Sequence, residues 1–276
     1  MNSNILIAGA NGQLGTELSK LLPDAVLAGK DELDITDEKA VKTFVKNKNV
    51  EIIINCAAYT AVDKAEDEPE LAAKVNIDGA GNLAKFAKKI IHISTDYVFD
   101  GTSHTPYKPE DKTNPVSVYG KTKSAGEQEV LKYADEAIII RTAWLYSPFG
   151  NNFVKTMRRL GLEKESINVV CDQIGTPTYA GDLAKAVVQI LPQINKDNKG
   201  IYHFTNEGVC SWYDFAYTIM KESNLNCAVN PIPSSAYPTR ATRPFYSVLD
   251  KSKIKETFGI TISHWTEGLK QCLKQF

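Results

Sequence analysis

Tyr119 and Lys123 lie four residues apart in Ser117-Val118-Tyr119-Gly120-Lys121-Thr122-Lys123. In a helix that spacing puts both on one face, so a phenol and an ammonium can share a site. A free tyrosine titrates near pH ~10, and a cation beside it favours the phenolate and lowers that value. A tyrosine tuned in this way exchanges a proton with a substrate oxygen. The same spacing recurs in helices that do no chemistry, so the reading depends on a second donor and a redox partner. Thr95, in Ser94-Thr95-Asp96-Tyr97, supplies a hydroxyl at what reads as the end of a strand. It either hydrogen-bonds the same substrate oxygen as Tyr119 or only satisfies the last backbone groups of that strand. With Tyr119 and Lys123 downstream, the catalytic reading is the stronger.

The redox partner is suggested by the amino-terminal segment. Ile5-Leu6-Ile7-Ala8 is a short apolar run suited to a buried strand. Gly9-Ala10-Asn11-Gly12-Gln13-Leu14-Gly15 follows at once, then a helical pattern with Leu14, Leu18, Leu21 and Leu22 on one side. Gly9 permits a tight turn, Gly12 lets backbone approach a pyrophosphate, and Gly15 lets helix pack on strand. The helix start offers unpaired N–H groups to the phosphates. The spacing is G-x-x-G-x-x-G rather than the commoner G-x-G-x-x-G.

Two such features need a scaffold, and the chain is long enough for one. It has 276 residues, 43% hydrophobic and 24% charged, close to the globular average. The net charge of −1 argues against a nucleic-acid partner held through phosphates. No apolar stretch approaches the roughly twenty residues that span a bilayer, and Met1-Asn2-Ser3-Asn4 is unlike a basic signal-peptide start. The scattered Cys56, Cys171, Cys210, Cys227 and Cys272 read as reduced thiols in a cytoplasm, with Cys56 in the core.

Strand and helix patterns alternate along the first half. Ala25–Ala28 is a second strand, and Thr36-Asp37-Glu38 caps a helix through Val41, Phe44 and Val45. Strands over Glu51–Ala57, Ile90–Ser94 and Ala137–Ile140 alternate with helices near Leu71–Lys89 and around Tyr119. Repeated βα units predict an α/β fold, a doubly wound parallel sheet with ligands at the carboxyl ends of its strands. Residues 1–150 read as a Rossmann-type dinucleotide-binding domain. Residues 151–276 read mainly as a smaller substrate-binding lobe, with some segments packing back on the sheet. There Pro231, Pro233, Pro238 and Pro244 break the chain into loops, and late helices fall near Trp212–Glu222 and His264–Lys274.

The sequence resembles the extended short-chain dehydrogenase/reductase family, and within it the dTDP-4-dehydrorhamnose reductases. The likeness runs nearly end to end. It rests on the glycine triplet, Asn55-Cys56-Ala57-Ala58, Thr60-Ala61-Val62-Asp63-Lys64-Ala65-Glu66, Ser94 to Gly101 and Tyr119 to Lys123. Arg141 to Tyr146, Gly150-Asn151-Asn152-Phe153, Asp172 to Thr178 and Ala236 to Pro244 extend it. The resemblance implies hydride delivery from NADP(H), with NAD(H) as the second choice, to C4 of a dTDP-4-keto sugar. Tyr119 would protonate the carbonyl oxygen. Lys123 would lower the phenol's pKa and hold the nicotinamide ribose, and Thr95 would polarise the ketone. Gly12, Gln13 and Leu14 would line the pyrophosphate, and Asp34 and Ile35 would flank the adenine. Ala58, Tyr59 and Thr60 would meet the rest of the cofactor. Asn76 would carry a proton relay toward the lysine, unless it is merely structural. Asp96, Trp144 and Asn152 would face the sugar, though Trp144 also suits a plain core. Arg243 and Arg240 would grip the diphosphate in a planar fork, the alternative being solvated loop charges.

Cofactor choice turns on the end of the second strand, where NAD-specific folds place an acid against the ribose 2′-hydroxyl. Here Gly29 and Lys30 follow Ala28, a small residue and a cation that suit a 2′-phosphate; a later strand end would bring in Asp31 or Glu32. Tyr97 stands where the sugar-nucleotide 4,6-dehydratases carry the glutamate of an Asp-Glu pair, which argues against elimination. Two alternatives stay open, a nucleotide-sugar epimerase and an NADP-binding regulatory subunit of the methionine adenosyltransferase type. Glu17 falls where some relatives bind Mg²⁺, but no further carboxylates join it, and no metal is assigned. Monomer and homodimer are both compatible with the sequence.

Overall fold

The computed structural model describes residues 4–276, so the reading of Met1–Ser3 lies outside the described residues. Six parallel strands form the central sheet: β1 (Ile5–Ala8), β2 (Val26–Ala28), β3 (Ile52–Asn55), β4 (Lys89–Thr95), β5 (Glu136–Thr142) and β6 (Gly200–His203), in the order 6-5-4-3-1-2. The order reverses at β1, which places a crevice beyond the carboxyl ends of β1 and β3. Alternate residues of each strand face opposite layers. Ile7, Ile54, Ile91 and Ile138 meet α1 (Gln13–Leu21) and a later helix, Ala180–Ile190. Leu6, Ile53, Ile90 and Ile139 meet α2 (Glu38–Asn47) and the helix Val118–Tyr133 on the other side.

The expected elements form with adjusted limits. Asp37 caps α2 by accepting the backbone N–H groups of Lys39 and Ala40, the satisfaction of orphan donors that favours aspartate there. The helix expected over Leu71–Lys89 begins at Pro69 and ends at Phe86, with a π-helical stretch Lys74–Gly79 between its α segments. Such bulges are rare and favour functional sites. The second half of the chain also contributes to the first domain's layers: β6 adds the sixth strand, and the helix Ala180–Ile190 packs against the sheet. Pro231 does not break the chain. It sits within Ala228–Ile232, which pairs on one side only with Ser166–Val170, and an edge tolerates a missing N–H. Around that ladder a separate core gathers Val154, Met157, Phe215, Ile219, Trp265 and Leu269. Among the described residues no helix is long and apolar enough to cross a membrane.

Candidate active site

A cleft of about 1010 Å³ runs over the carboxyl ends of the sheet strands. At one end lies the glycine turn. Gly9 adopts φ +78°, and a Cβ there would stand 2.6 Å from the backbone N of Ala57. Only glycine meets both demands. A Cβ on Gly15 would stand 2.4 Å from the Gly9 carbonyl, so its absence lets α1 close on the strand. Gly12 is different: its Cβ would approach only the Gly9 oxygen, at 3.3 Å, which leaves open space above the N-cap of α1. No acidic residue occupies the first turn of α1, so its N–H groups and positive dipole end stay uncompensated. These features fit a dinucleotide pyrophosphate. Gln13 and Leu14 line the cleft beside them. The Gln13 carboxamide also accepts from Ser147 Oγ at 3.2 Å and Asn152 Nδ2 at 3.0 Å, tying the turn to the segment after β5.

Farther along, β3 and β4 deliver the chemical groups. Ala58, Tyr59 and Thr60 follow β3 and line the cleft. Cys56, expected in the core, is only half-buried and also lines it, because β3 ends at Asn55 and the chain turns toward the crevice. Its thiol is pushed up to about 12 by burial. β4 ends at Thr95, whose Oγ1 donates to Asp96 Oδ1 at 2.9 Å and accepts from the Tyr97 backbone N–H at 3.2 Å. Asp96 is 2% exposed, and among the described residues its Oδ2 has no hydrogen-bond partner. Burial raises its carboxyl to about 6, with the Thr95 and Ser247 hydroxyls pulling back.

Tyr119 and Lys123 share one face of the helix Val118–Tyr133, whose N-cap Ser117 accepts from the Gly120 N–H. Both line the cleft together with Thr95. The expected pull of Lys123 on the phenol does not prevail. Burial drives the Tyr119 phenol well above its ordinary value, and the Thr95 hydroxyl only partly offsets this. Tyr119 is therefore a protonated donor at neutral pH. Lys123 Nζ donates to the Ile93 carbonyl at 2.7 Å and stands 3.4 Å from His92 Nε2. Burial lowers Lys123 to about 8, against the favourable charge of Glu127.

The opposite wall is aromatic. Trp144 lines the cleft with φ +49°, a left-handed conformation that a bulky residue adopts only when its surroundings impose it. It stacks on Trp212 at 3.6 Å with planes 11° apart, and Gly175 leaves room for the ring: a Cβ there would stand 2.7 Å from it. Arg243 lines the mouth and is already engaged. Its Nη2 donates to Asp63 Oδ2 at 2.6 Å and its Nη1 to the Tyr97 hydroxyl at 3.0 Å.

Most of the expected residues thus meet in one cleft, including Lys30, Asp34 and Ile35 at its adenine end. Three do not line it. Asn76 is buried below the floor, accepting from Tyr59 N at 2.9 Å and donating to Tyr59 O at 3.2 Å and Thr122 Oγ1 at 3.1 Å. Asn152 caps the helix Phe153–Glu163 and bonds Gln13. Arg240 pairs with Asp67 on the exposed rim. Glu17 is buried and pairs with Lys20 at 3.2 Å. Residues that the motifs did not indicate also line the cleft, notably Trp212 and Lys74. Trp212 comes from a helix nearly seventy positions away from Trp144, and no spacing in the sequence signals that pairing. The second strand ends at Ala28, and Lys30 rather than Asp31 or Glu32 faces the cleft. The Glu32 carboxylate instead accepts from the Gly29 N–H at 2.8 Å.

Comparison with known proteins agrees with this geometry. The RmlD substrate binding domain family matches residues 3–276. A dTDP-4-dehydrorhamnose reductase of Aggregatibacter actinomycetemcomitans is 45% identical, with 97% of each chain covered. A crystal structure of a dTDP-4-dehydrorhamnose reductase from Clostridium acetobutylicum superposes with a TM-score of 0.94 at 43% identity, covering 99% of each chain. One from Bacillus anthracis, in complex with NADP, gives 0.95 at 39% identity over the whole of both chains. With its doubly wound sheet, its glycine turn and its likeness end to end, the chain belongs to the RmlD substrate binding domain family, alongside these dTDP-4-dehydrorhamnose reductases.

Proposed function

We propose that this protein reduces the C4 ketone of dTDP-4-dehydro-L-rhamnose to dTDP-L-rhamnose with NADPH, a step in nucleotide-sugar synthesis for cell-surface polysaccharide. The observation that carries this reading is the convergence of Thr95, Tyr119 and Lys123 in one cleft with the Gly9–Gly15 turn. NADP(H), when bound, supplies the hydride. The Gly12–Leu14 backbone and the α1 N-terminus hold its pyrophosphate, with Asp34, Ile35, Ala58, Tyr59 and Thr60 along its length. Lys30, with Lys74 beside it on the cleft wall, suits a 2′-phosphate, and NADH remains a usable second cofactor.

The residues of the chain then manage the proton and the fit. Tyr119 keeps its proton at neutral pH, as an ordinary phenol does and as its upward shift reinforces, and it gives that proton to the C4 oxygen as the ketone becomes an alcohol. The Thr95 hydroxyl, which here donates to Asp96, turns its single proton to the same oxygen. Lys123, which lines the cleft, would hold the nicotinamide ribose hydroxyls. The free Oδ2 of Asp96 is an acceptor for a sugar hydroxyl, and Trp144, backed by Trp212, gives an apolar face to the deoxyhexose. Arg243 reaches the diphosphate. Residues 1–150 mainly carry the cofactor and 151–276 mainly the sugar, with Ala180–Ile190 and β6 returned to the sheet. The working partner is a dTDP-sugar, in the cytoplasm, with the protein as monomer or homodimer.

Incubation of the purified protein with dTDP-4-keto-6-deoxy-L-lyxo-hexose and NADPH tests this. One NADPH oxidised per dTDP-L-rhamnose formed supports reduction. Product without net NADPH loss indicates epimerisation, and no turnover beside a stable protein partner indicates a regulatory subunit.

A further inference from the structure

His92 sits at the centre of β4 and is 1% exposed, with polar atoms on both sides of its ring. Asn55, its register neighbour on β3, places Nδ2 at 2.9 Å from His92 Nδ1. Lys123 Nζ stands at 3.4 Å from His92 Nε2. The direction of the first contact is fixed by a third. Asn55 Oδ1 accepts from the Ala57 backbone N–H at 3.0 Å. Turning the carboxamide over would set an NH₂ against that N–H, so Nδ2 must be the group that faces His92. An amide NH₂ only donates, so His92 Nδ1 must be the bare, accepting nitrogen. In a neutral imidazole the proton is then on Nε2 and points at Lys123.

That assignment has a consequence for the lysine. An ammonium has donors only, and facing an Nε2–H it would oppose donor to donor. A neutral amine has a lone pair and accepts. Its own N–H groups remain free, one for the Ile93 carbonyl at 2.7 Å. We propose that His92, its tautomer locked by Asn55 and the Ala57 N–H, is a positioning residue that donates from Nε2 to Lys123 and so disfavours the ammonium form of the lysine.

The other groups facing Lys123 are few. Cys56 lies at the end of β3, and Glu127 and Tyr119 lie one turn away on its own helix; His92 is the contribution of β4. Burial, and after it the charge of Lys123, lower His92 well below its ordinary value and keep the imidazole neutral. A lysine that changes charge near neutral pH can return the proton that Tyr119 loses. The lock also joins the two ends of the cleft, because Ala57 is the residue whose backbone crowds Gly9.

The inference about Lys123 rests on the reductase reading, but its first test does not need turnover. The chain has four histidines, His92, His104, His203 and His264, so long-range ¹H–¹⁵N correlation spectra of the whole protein can resolve each ring, with H92Q assigning its own signal. The expected result is a neutral Nε2–H tautomer for His92 across about pH 6 to about 9. An Nδ1–H tautomer, or conversion to imidazolium in that range, overturns the proposal. The second test is the pH profile of kcat/KM for NADPH-dependent ketone reduction. In H92L and N55L the basic limb should move up by about one pH unit, because the neutral amine loses its donor or the tautomer is released. In H92Q, whose amide NH₂ can take the place of Nε2–H, the limb should return toward wild type. A limb that stays put or moves down in H92L overturns the proposal. If H92L does not fold, the wild-type tautomer decides. If the protein shows no turnover, the tautomer still decides, and it is the reductase reading that falls.

Discussion

Arg243 and Asp63 join across the mouth of the cleft, Nη2 to Oδ2 at 2.6 Å, while Asp63 Oδ1 also accepts the Ala241 N–H at 3.0 Å. One carboxylate thus fastens the carboxy-terminal loop to the short helical turn Val62–Ala65. A guanidinium has five N–H donors, so Arg243 can keep Asp63 and still offer donors to a diphosphate. Arg243→Lys should raise KM for the sugar nucleotide about tenfold or more, because the planar fork is lost while a charge remains. The kcat should change far less. Steady-state kinetics with varied dTDP-sugar measure the split; a loss confined to kcat contradicts a diphosphate role.

Tyr119→Phe removes the proton donor and leaves the ring. Turnover should fall by about 10²- to 10⁴-fold, while NADPH still binds, as followed by its fluorescence. Retained turnover would remove Tyr119 from the chemistry.

Asp96 gives a stability prediction with a defined sign. Its folded-state value, about 6, lies above the usual carboxylate value of 3.8. Well below pH 3.8 both states are protonated and the group has no effect; the cost grows between 3.8 and about 6, where the unfolded carboxyl ionises and the buried one does not, and is complete above about 6. Its cost at neutral pH is roughly 2–3 kcal/mol. Asp96→Asn keeps an acceptor for Thr95 and removes the charge. The variant should be more stable than wild type in urea at about pH 7, with the difference vanishing well below pH 3.8. It should also bind the sugar more weakly.

Lys30 is the cation expected to read the 2′-phosphate. Lys30→Glu should raise KM for NADPH by about tenfold or more while leaving NADH nearly unaffected. Parallel titrations of both cofactors check this. An equal loss for both would assign Lys30 to general packing or charge.

Arg141 and Glu127 form a buried fork beneath the helix that carries Tyr119 and Lys123, with distances of 2.8 and 2.7 Å and exposures of 2% and 0%. Ser94, next to Thr95, donates to the same carboxylate at 2.6 Å. Arg141→Met leaves Glu127 uncompensated and should destabilise the protein by about 3–5 kcal/mol. Glu127→Gln with Arg141→Met should recover much of that. Denaturant midpoints of both variants decide whether the cost is the stranded charge or lost packing.

Part of this site was legible in the chain itself, for physical reasons that act locally. A turn of Gly9, Gly12 and Gly15 between an apolar run and a helical pattern has few uses, because each glycine answers a steric demand of the backbone. The Tyr119–Lys123 spacing fixes a shared helix face, and the strand-end position of Thr95 follows from the largely apolar run Ile90–Ile93 before it. Family likeness added Asp96, Trp144 and Arg243.

What sequence order alone left open are contacts between distant segments. Trp212 meets Trp144 only because a carboxy-terminal helix packs behind the cleft wall. The ionisation of Tyr119 and Lys123 is set by burial, which no spacing encodes; it reverses the expected pull of the lysine on the phenol. Asn76 and Asn152 carry side chains suited to a site, yet the tertiary structure uses their hydrogen bonds on Tyr59 and Gln13. The sequence by itself determined which groups a βα sheet brings to one crevice. The folded structure decided which of them are charged and which face the cleft, because solvation and hydrogen-bond partners exist only once distant strands and helices have packed.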